Sequence, residues 1–151
     1  SRSDRSSSGM TGKDNRFCRI QLPAELRSLP LFIETVTKCA ARSGLGEHKI
    51  GAMELALEEA IVNIVKHSSI APDSLITVEC GLKNKDDFTI DIIDGGPEFD
   101  PLAKDTPDTA ADIDSRPIGG LGIFLIKEMT DGVSYTRKEN RNILTITMKR
   151  S

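Results

Sequence analysis

Five stretches of the chain carry alternating or β-branched apolar residues, and three others carry apolar residues at three- and four-residue intervals, so the pattern alone separates strands from helices. Phe17, Cys18, Ile20 and Leu22 predict a short strand that Pro23 ends. Leu29, Ile33, Val36 and Ala40 then keep helical spacing. Ser28 can cap that helix, Pro30 sits in its first turn where a missing N–H does no harm, and Gly44 and Gly46 stop the run. From His48 a second helix places Ile50, Met53, Leu57, Ile61 and Ile64 on one side, and Pro72 closes the region. Residues 75–82 and 88–94 form two β-branched runs separated by Lys-Asn-Lys-Asp-Asp, which predicts an antiparallel hairpin. Residues 133–136 and 143–148 predict another. Between the hairpins lie a long segment, 95–118, and a third helix over 119–130. The order strand, two helices, two strands, helix, two strands predicts an α+β fold: a two-layer sandwich with helices on one face of a mostly antiparallel sheet.

Composition sets the limits. Residues 1–14 hold one large apolar side chain, Met10, and are expected to be a disordered leader whose residues ahead of Met10 need not be native. The packed domain is expected over 15–151, enough chain at 38% hydrophobic residues to bury one core. A net charge of −3 with no Lys/Arg block argues against nucleic acid or a membrane surface as partner. The absence of a long apolar stretch or a secretory signal pattern leads us to expect a soluble, cytoplasmic protein. Cys18, Cys39 and Cys80 are far apart in sequence and form no CxxC pair. Neither a disulfide framework nor a zinc site is expected from them, and they read as small buried hydrophobes in a reducing compartment.

Three clusters carry candidate chemistry. Gly119, Gly120 and Gly122 stand where the third helix opens. Backbone N–H groups at such a mouth can hold a phosphate without Cβ atoms in the way, although glycines also serve tight turns. In Asp-Gly-Gly-Pro-Glu-Phe-Asp, residues 94–100, Asp94 ends an apolar strand and Gly95 and Gly96 allow a flat ligand close to the backbone; plain turn chemistry is the competing reading. Glu59 and Asn63 lie one turn apart on a largely apolar helix. They are either surface groups or a pair kept for function, because a buried carboxylate and amide need partners. An Asn oxygen suits Mg²⁺, and a carboxylate there could orient or deprotonate a hydroxyl. The segment 95–118 contains four of the seven prolines and five aspartates between Asp100 and Asp114. A loop of that length inside a compact domain reads as a lid, and this one ends at the glycine cluster.

Taken in order, Glu59-Ala60-Ile61-Val62-Asn63 with His67, then 94–100, then the acidic loop, then Gly-Gly-Leu-Gly at 119–122, resemble the N box, first glycine box, ATP lid and second glycine box of the GHKL or Bergerat-fold ATPases. Within that family the set is most like bacterial anti-sigma-factor serine kinases. The resemblance spans 16–150. It implies ATP and Mg²⁺ as cofactors, Glu59 as catalytic base, Asn63 as metal ligand and Asp94 as acceptor of the adenine amino group. It further implies Gly96 beneath the base, and Gly120 and Gly122 as the phosphate cradle. The partners it implies are a sigma factor and a STAS-type anti-anti-sigma protein phosphorylated on serine or threonine, with a homodimer as a family expectation.

The likeness is not complete. Glu98 stands where many members of the wider superfamily carry glycine, and the threonine that the final strand often brings near adenine has two candidates, Thr145 and Thr147. Nothing resembles the phosphoacceptor helices of sensor histidine kinases. A nucleotide-sensing adaptor without kinase activity is the alternative function, and an ATP-hydrolysing domain detached from a larger machine is a third.

Overall fold

The computed structural model describes residues 17–103 and 117–150; the expected leader and most of the expected lid lie outside them. The chain runs β1 (Cys18–Pro23), α1 (Leu29–Arg42), α2 (Glu47–His67), β2 (Leu75–Leu82), β3 (Asp87–Asp94), α3 (Pro117–Met129), β4 (Gly132–Lys138) and β5 (Arg141–Lys149), with short 3₁₀ turns at Leu26–Ser28 and Pro101–Ala103. The strands form one sheet in the order β1-β2-β3-β5-β4, antiparallel throughout. The expected two-layer α+β sandwich is the observed fold.

Alternation along each strand decides which face is covered. Ile76, Val78 and Cys80 of β2, Phe88, Ile90 and Ile92 of β3, and Leu144, Ile146 and Met148 of β5 point to the same side and are buried. Phe32 and Val36 of α1, Met53, Leu57 and Ile61 of α2, and Ile126 of α3 close over them as one core. The intervening positions, among them Thr89, Asp91, Thr145 and Thr147, face the other way. Pro23 is the last residue of β1 and ends it as expected; its place in the ladder is tolerable because β1 is an edge strand.

Ser28 does not cap α1. The preceding 3₁₀ turn runs into the helix with Ser28 itself in the helical region, and its hydroxyl donates to the Pro23 carbonyl at 2.8 Å. Gly44 does end α1, at φ +95°, and an added Cβ there would stand 3.0 Å from Arg150 Nη1. Glu139 (φ 53°) and Asn140 (φ 63°) make the two-residue turn of the β4–β5 hairpin, the left-handed pair that matches the twist of the strands it joins. In the β2–β3 hairpin Asn84 Oδ1 accepts from the backbone N–H groups of Asp86 and Asp87, both at 2.9 Å.

One polar clamp ties the helix layer to the sheet. Asp131, just after α3, accepts from Lys49 Nζ at 2.6 Å and from the Lys149 backbone N–H at 2.8 Å, both on Oδ2. The Lys149 amide and the Lys49 ammonium hold its carboxyl below the ordinary 3.8. A carboxylate whose pKa is lowered by folding adds stability that is complete above its unfolded value and disappears as the pH falls through the folded one. Both side chains of the ion pair remain partly exposed, so screening keeps its contribution small. Asp131→Ala should therefore lower the unfolding free energy by about 1 kcal/mol at neutral pH. Urea denaturation at pH 7 and in acid below 3.8 checks this, the difference from wild type shrinking in acid.

Candidate functional site

The antiparallel register sets Asp94, the last residue of β3, opposite Asn142 of β5. Both are buried, and both follow the inward phase of their strands. A carboxylate in that position needs donors. Asp94 Oδ1 receives two: the Gly96 backbone N–H at 2.8 Å and Asn142 Nδ2 at 3.0 Å. Oδ2 takes no part in this pair of bonds and is the carboxylate's remaining acceptor.

Asn142 is the hub of the turn that follows. Its Nδ2 also donates to the Pro97 carbonyl at 2.8 Å, and its Oδ1 accepts from the Phe99 backbone N–H at 3.2 Å, from the Tyr135 hydroxyl at 2.5 Å and from Arg137 Nη1 at 3.2 Å. Arg137 Nη1 reaches further to the Gly96 carbonyl at 2.8 Å. Burial raises the Tyr135 pKa, with Glu98 adding to the effect, which keeps the phenol a neutral donor. Segment 96–99 is thus fastened at its carbonyls and amides by side chains from β4 and β5.

The two glycines after Asp94 differ. At Gly96 a Cβ would stand 3.2 Å from Asp94 Oδ1 and 3.2 Å from Ile70 Cγ1, whereas at Gly95 nothing lies within 4 Å. Ile70 is buried just beyond the end of α2, where Ser68 turns the chain by donating its hydroxyl to the Ile64 carbonyl at 2.6 Å and Ser69 takes φ 65°. The C-terminal end of α2 and the Asp94 turn therefore share one wall.

On α2, Asn63 is buried and Glu59 partly exposed. Asn63 Nδ2 donates to the Glu59 backbone carbonyl at 3.0 Å, which commits the amide nitrogen and leaves Oδ1 as the end that can accept a cation. Burial, with the neighbouring Glu58 charge second, raises the Glu59 carboxyl above the ordinary 4.5. His67 is exposed at the last position of the helix.

The glycine mouth begins two residues earlier than its first glycine: α3 starts at Pro117, a residue suited to the first position of a helix, so Gly119 and Gly120 fall in the first turn. The helix packs along α2, and the Lys49–Asp131 pair joins the start of α2 to the residue just past α3, so the two run antiparallel. Pro117 precedes Asp131 by as many residues as Asn63 follows Lys49. At roughly 1.5 Å per residue the mouth of α3 comes level with the Asn63 turn of α2.

A sequence comparison matches residues 22–148 to the histidine kinase-like ATPase domain. The chain belongs to that family. It is similar to the serine-protein kinase RsbW of Listeria monocytogenes serovar 1/2a, with 32% identity over 83% of this chain and 82% of that one. It is also similar to the RsbW kinase of Bacillus cereus, with 29% identity over 85% and 84%. Among solved structures, the RsbU and RsbW domains of a Mycobacterium tuberculosis protein share the fold at TM-score 0.63 and 15% identity; the match covers 89% of this chain and about a third (33%) of that one. The mycobacterial sensor histidine kinase MprB shares it at TM-score 0.52 and 14% identity.

Asp94, Gly96, Glu59 and Asn63 are all within this histidine kinase-like domain's described residues, while 104–116, the larger part of the segment 95–118 expected as the lid, is outside them. The sequence reading missed Asn142, Tyr135 and Arg137. A signal for Asn142 was present: it is in phase with Leu144, Ile146 and Met148, a polar residue at an inward position. The two threonines weighed for the final strand fall on the opposite face, where Thr145 donates to Asp91 at 2.6 Å.

The asymmetry of the glycines is directly testable. Gly96→Ala should force Ile70 or Asp94 to move and weaken adenine-nucleotide binding at least about tenfold, the scale of one disturbed hydrogen bond to a charged group, whereas Gly95→Ala should bind as wild type. Titration calorimetry with ATP on both variants checks it.

Proposed function

We propose that this chain is an ATP-dependent serine-protein kinase that regulates a sigma factor. The observation that carries the nucleotide half is the buried Asp94, whose Oδ1 is taken by Gly96 and Asn142 and whose Oδ2 is left to accept an exocyclic amine. The phosphotransfer half is supported by Glu59 and Asn63 one turn apart, level with the mouth of α3, and by the likeness to RsbW serine-protein kinases.

In this reading adenine rests over Gly96 with its amino group on Asp94, and the phosphates lie toward the backbone N–H groups at Gly120 and Gly122. Asn63 is the residue that would hold Mg²⁺. One buried amide oxygen fits an ion that takes few protein ligands and completes its shell with phosphate and water, and when bound the ion neutralises charge on the phosphates. Glu59 orients the incoming serine hydroxyl and takes its proton as the oxygen bonds to the γ-phosphorus, while the bond from that phosphorus to the β,γ-bridging oxygen breaks and ADP leaves. A general base must be ionised, and the raised pKa of Glu59 brings its ionisation nearer to neutral pH. The acceptor is a serine or threonine of a STAS-type anti-anti-sigma protein, and its phosphorylation decides whether the sigma factor is held.

Glu59→Gln should cut phosphotransfer by about 10²–10⁴-fold while ATP affinity stays at the wild-type level. The wild-type rate should fall in acid with a midpoint above 4.5, and that limb should be missing from the residual rate of the variant. Asp94→Asn should do the reverse, weakening ATP binding by about 10–100-fold through the loss of a charge-assisted hydrogen bond. Transfer of labelled γ-phosphate into a purified STAS-type protein is the measurement for both. ATP binding without any transfer would instead establish a nucleotide-gated adaptor.

A further inference from the structure

The fold gathers the three cysteines that the sequence scatters. Cys18 on β1, Cys80 on β2 and Cys39 on α1 place their sulfurs within 4.8 Å of one another, at the sheet edge away from β4 and β5. Cys39 and Cys80 are the small buried hydrophobes expected, whereas Cys18 is only partly buried, and the meeting of the three was not foreseen. Cys39 and Cys80 are buried and Cys18 is partly exposed; none is in a disulfide. Arg42 Nη2 lies 3.0 Å from Cys18 Sγ, so the most accessible sulfur is also the one beside a guanidinium.

We propose that Cys18 is a hydroperoxide-reactive thiolate whose oxidised form is captured by Cys80 as a disulfide joining β1 to β2. The site is separate from the ATP-binding residues and does not depend on the function proposed for them. The neighbouring Cys39 and Cys80 thiols, then the Arg42 charge, lower Cys18 to about 3 against the raising effect of burial. Proximity to Cys18 and burial push the thiols of Cys39 and Cys80 up, and the Cys39 thiol also donates to the Cys80 carbonyl at 3.7 Å. A guanidinium beside the one partly exposed sulfur of the cluster favours a reactive thiolate at Cys18.

The chemistry balances with a hydroperoxide as the oxidant. The Cys18 thiolate attacks one peroxide oxygen, the O–O bond breaks, and hydroxide leaves to become water as it takes a proton; Cys18 is then a sulfenic acid. The Cys80 sulfur attacks Cys18 Sγ, the S–S bond forms, the S–O bond breaks, and hydroxide departs with the Cys80 proton as a second water. Cys80 is the partner because it is the cross-strand neighbour of Cys18 in the β1–β2 ladder. Directly opposed residues have Cα atoms about 4.5–5.5 Å apart, inside the range a disulfide spans.

The test treats the full chain with a small excess of hydrogen peroxide, alkylates the remaining thiols and maps the peptides by mass spectrometry. A Cys18–Cys80 disulfide is expected in wild type and in Cys39→Ser, and its absence is expected in Cys18→Ser, with Cys80 still open to alkylation after unfolding. Independently of any variant, the rate at which iodoacetamide modifies Cys18 should stay flat from about pH 6 to pH 9, whereas an ordinary thiol gains roughly tenfold per unit below its pKa. A Cys18 rate that climbs in that ordinary way overturns the proposal. So do a Cys18–Cys39 pairing, oxidation of Cys18 to the sulfinic acid without a disulfide, and stoichiometric zinc that must be removed before Cys18 reacts.

Discussion

A buried carboxylate at the end of a central strand is the constraint on which the site is built. Asp94 has left water, and an ion in that position is tolerated only when fixed donors replace the solvent. Asn142 supplies one donor from the neighbouring strand and the Gly96 amide supplies the other. Because Asn142 is itself held by Tyr135, Arg137 and the Phe99 amide, the whole segment after Asp94 takes its shape from two strands that come last in the chain. The same network gives the reason a glycine suits position 96: the turn is drawn in against Ile70 so closely that an added Cβ would push Ile70 or Asp94 aside by a few tenths of an ångström.

A second constraint lies between the helices. The Asp131 clamp seats the end of α3 against the start of α2, and the apolar stripes of both helices meet the sheet through Ile126, Leu57 and Ile61. Antiparallel packing from that anchor brings the opening turn of α3 to the height of Asn63. In the proposed reaction, positioning of phosphate and hydroxyl is most of the chemistry, so this seating matters as much as the identity of the base. The Asn63 amide shows how the position is reconciled with burial: its nitrogen bonds to its own helix, and only the oxygen is presented.

The cysteine cluster follows from the opposite edge of the same sheet. Alternation turns Cys18 and Cys80 toward α1, whose Cys39 is packed in the core, so three small apolar positions become one group of sulfurs. Their surroundings are unequal: Cys18, the one partly exposed sulfur, has the Arg42 guanidinium 3.0 Å away, while Cys39 and Cys80 are buried.

Periodicity along the chain determined the elements, because a strand or helix that buries one face must write period two or 3.6 into its own residues. The five strands, the three helices, the two-layer class and the pairing of Glu59 with Asn63 one turn apart were all legible in that way. Gly119 and Gly120 at the opening of α3 were legible too, since helix starts are local events. The capping role expected of Ser28 was not, because the 3₁₀ turn before α1 carries Ser28 itself into the helical region and its hydroxyl donates back to the Pro23 carbonyl. The inward phase of β5 marked Asn142, but sequence could not show that it stands opposite Asp94, or that Cys18, Cys39 and Cys80 meet. Both depend on register and strand order, where a shift of one residue would turn Thr145 inward and Asn142 out. The local pattern therefore determined what each segment is, and only the tertiary structure decided which segments' polar groups share a site, because contacts between distant residues leave no period in the chain.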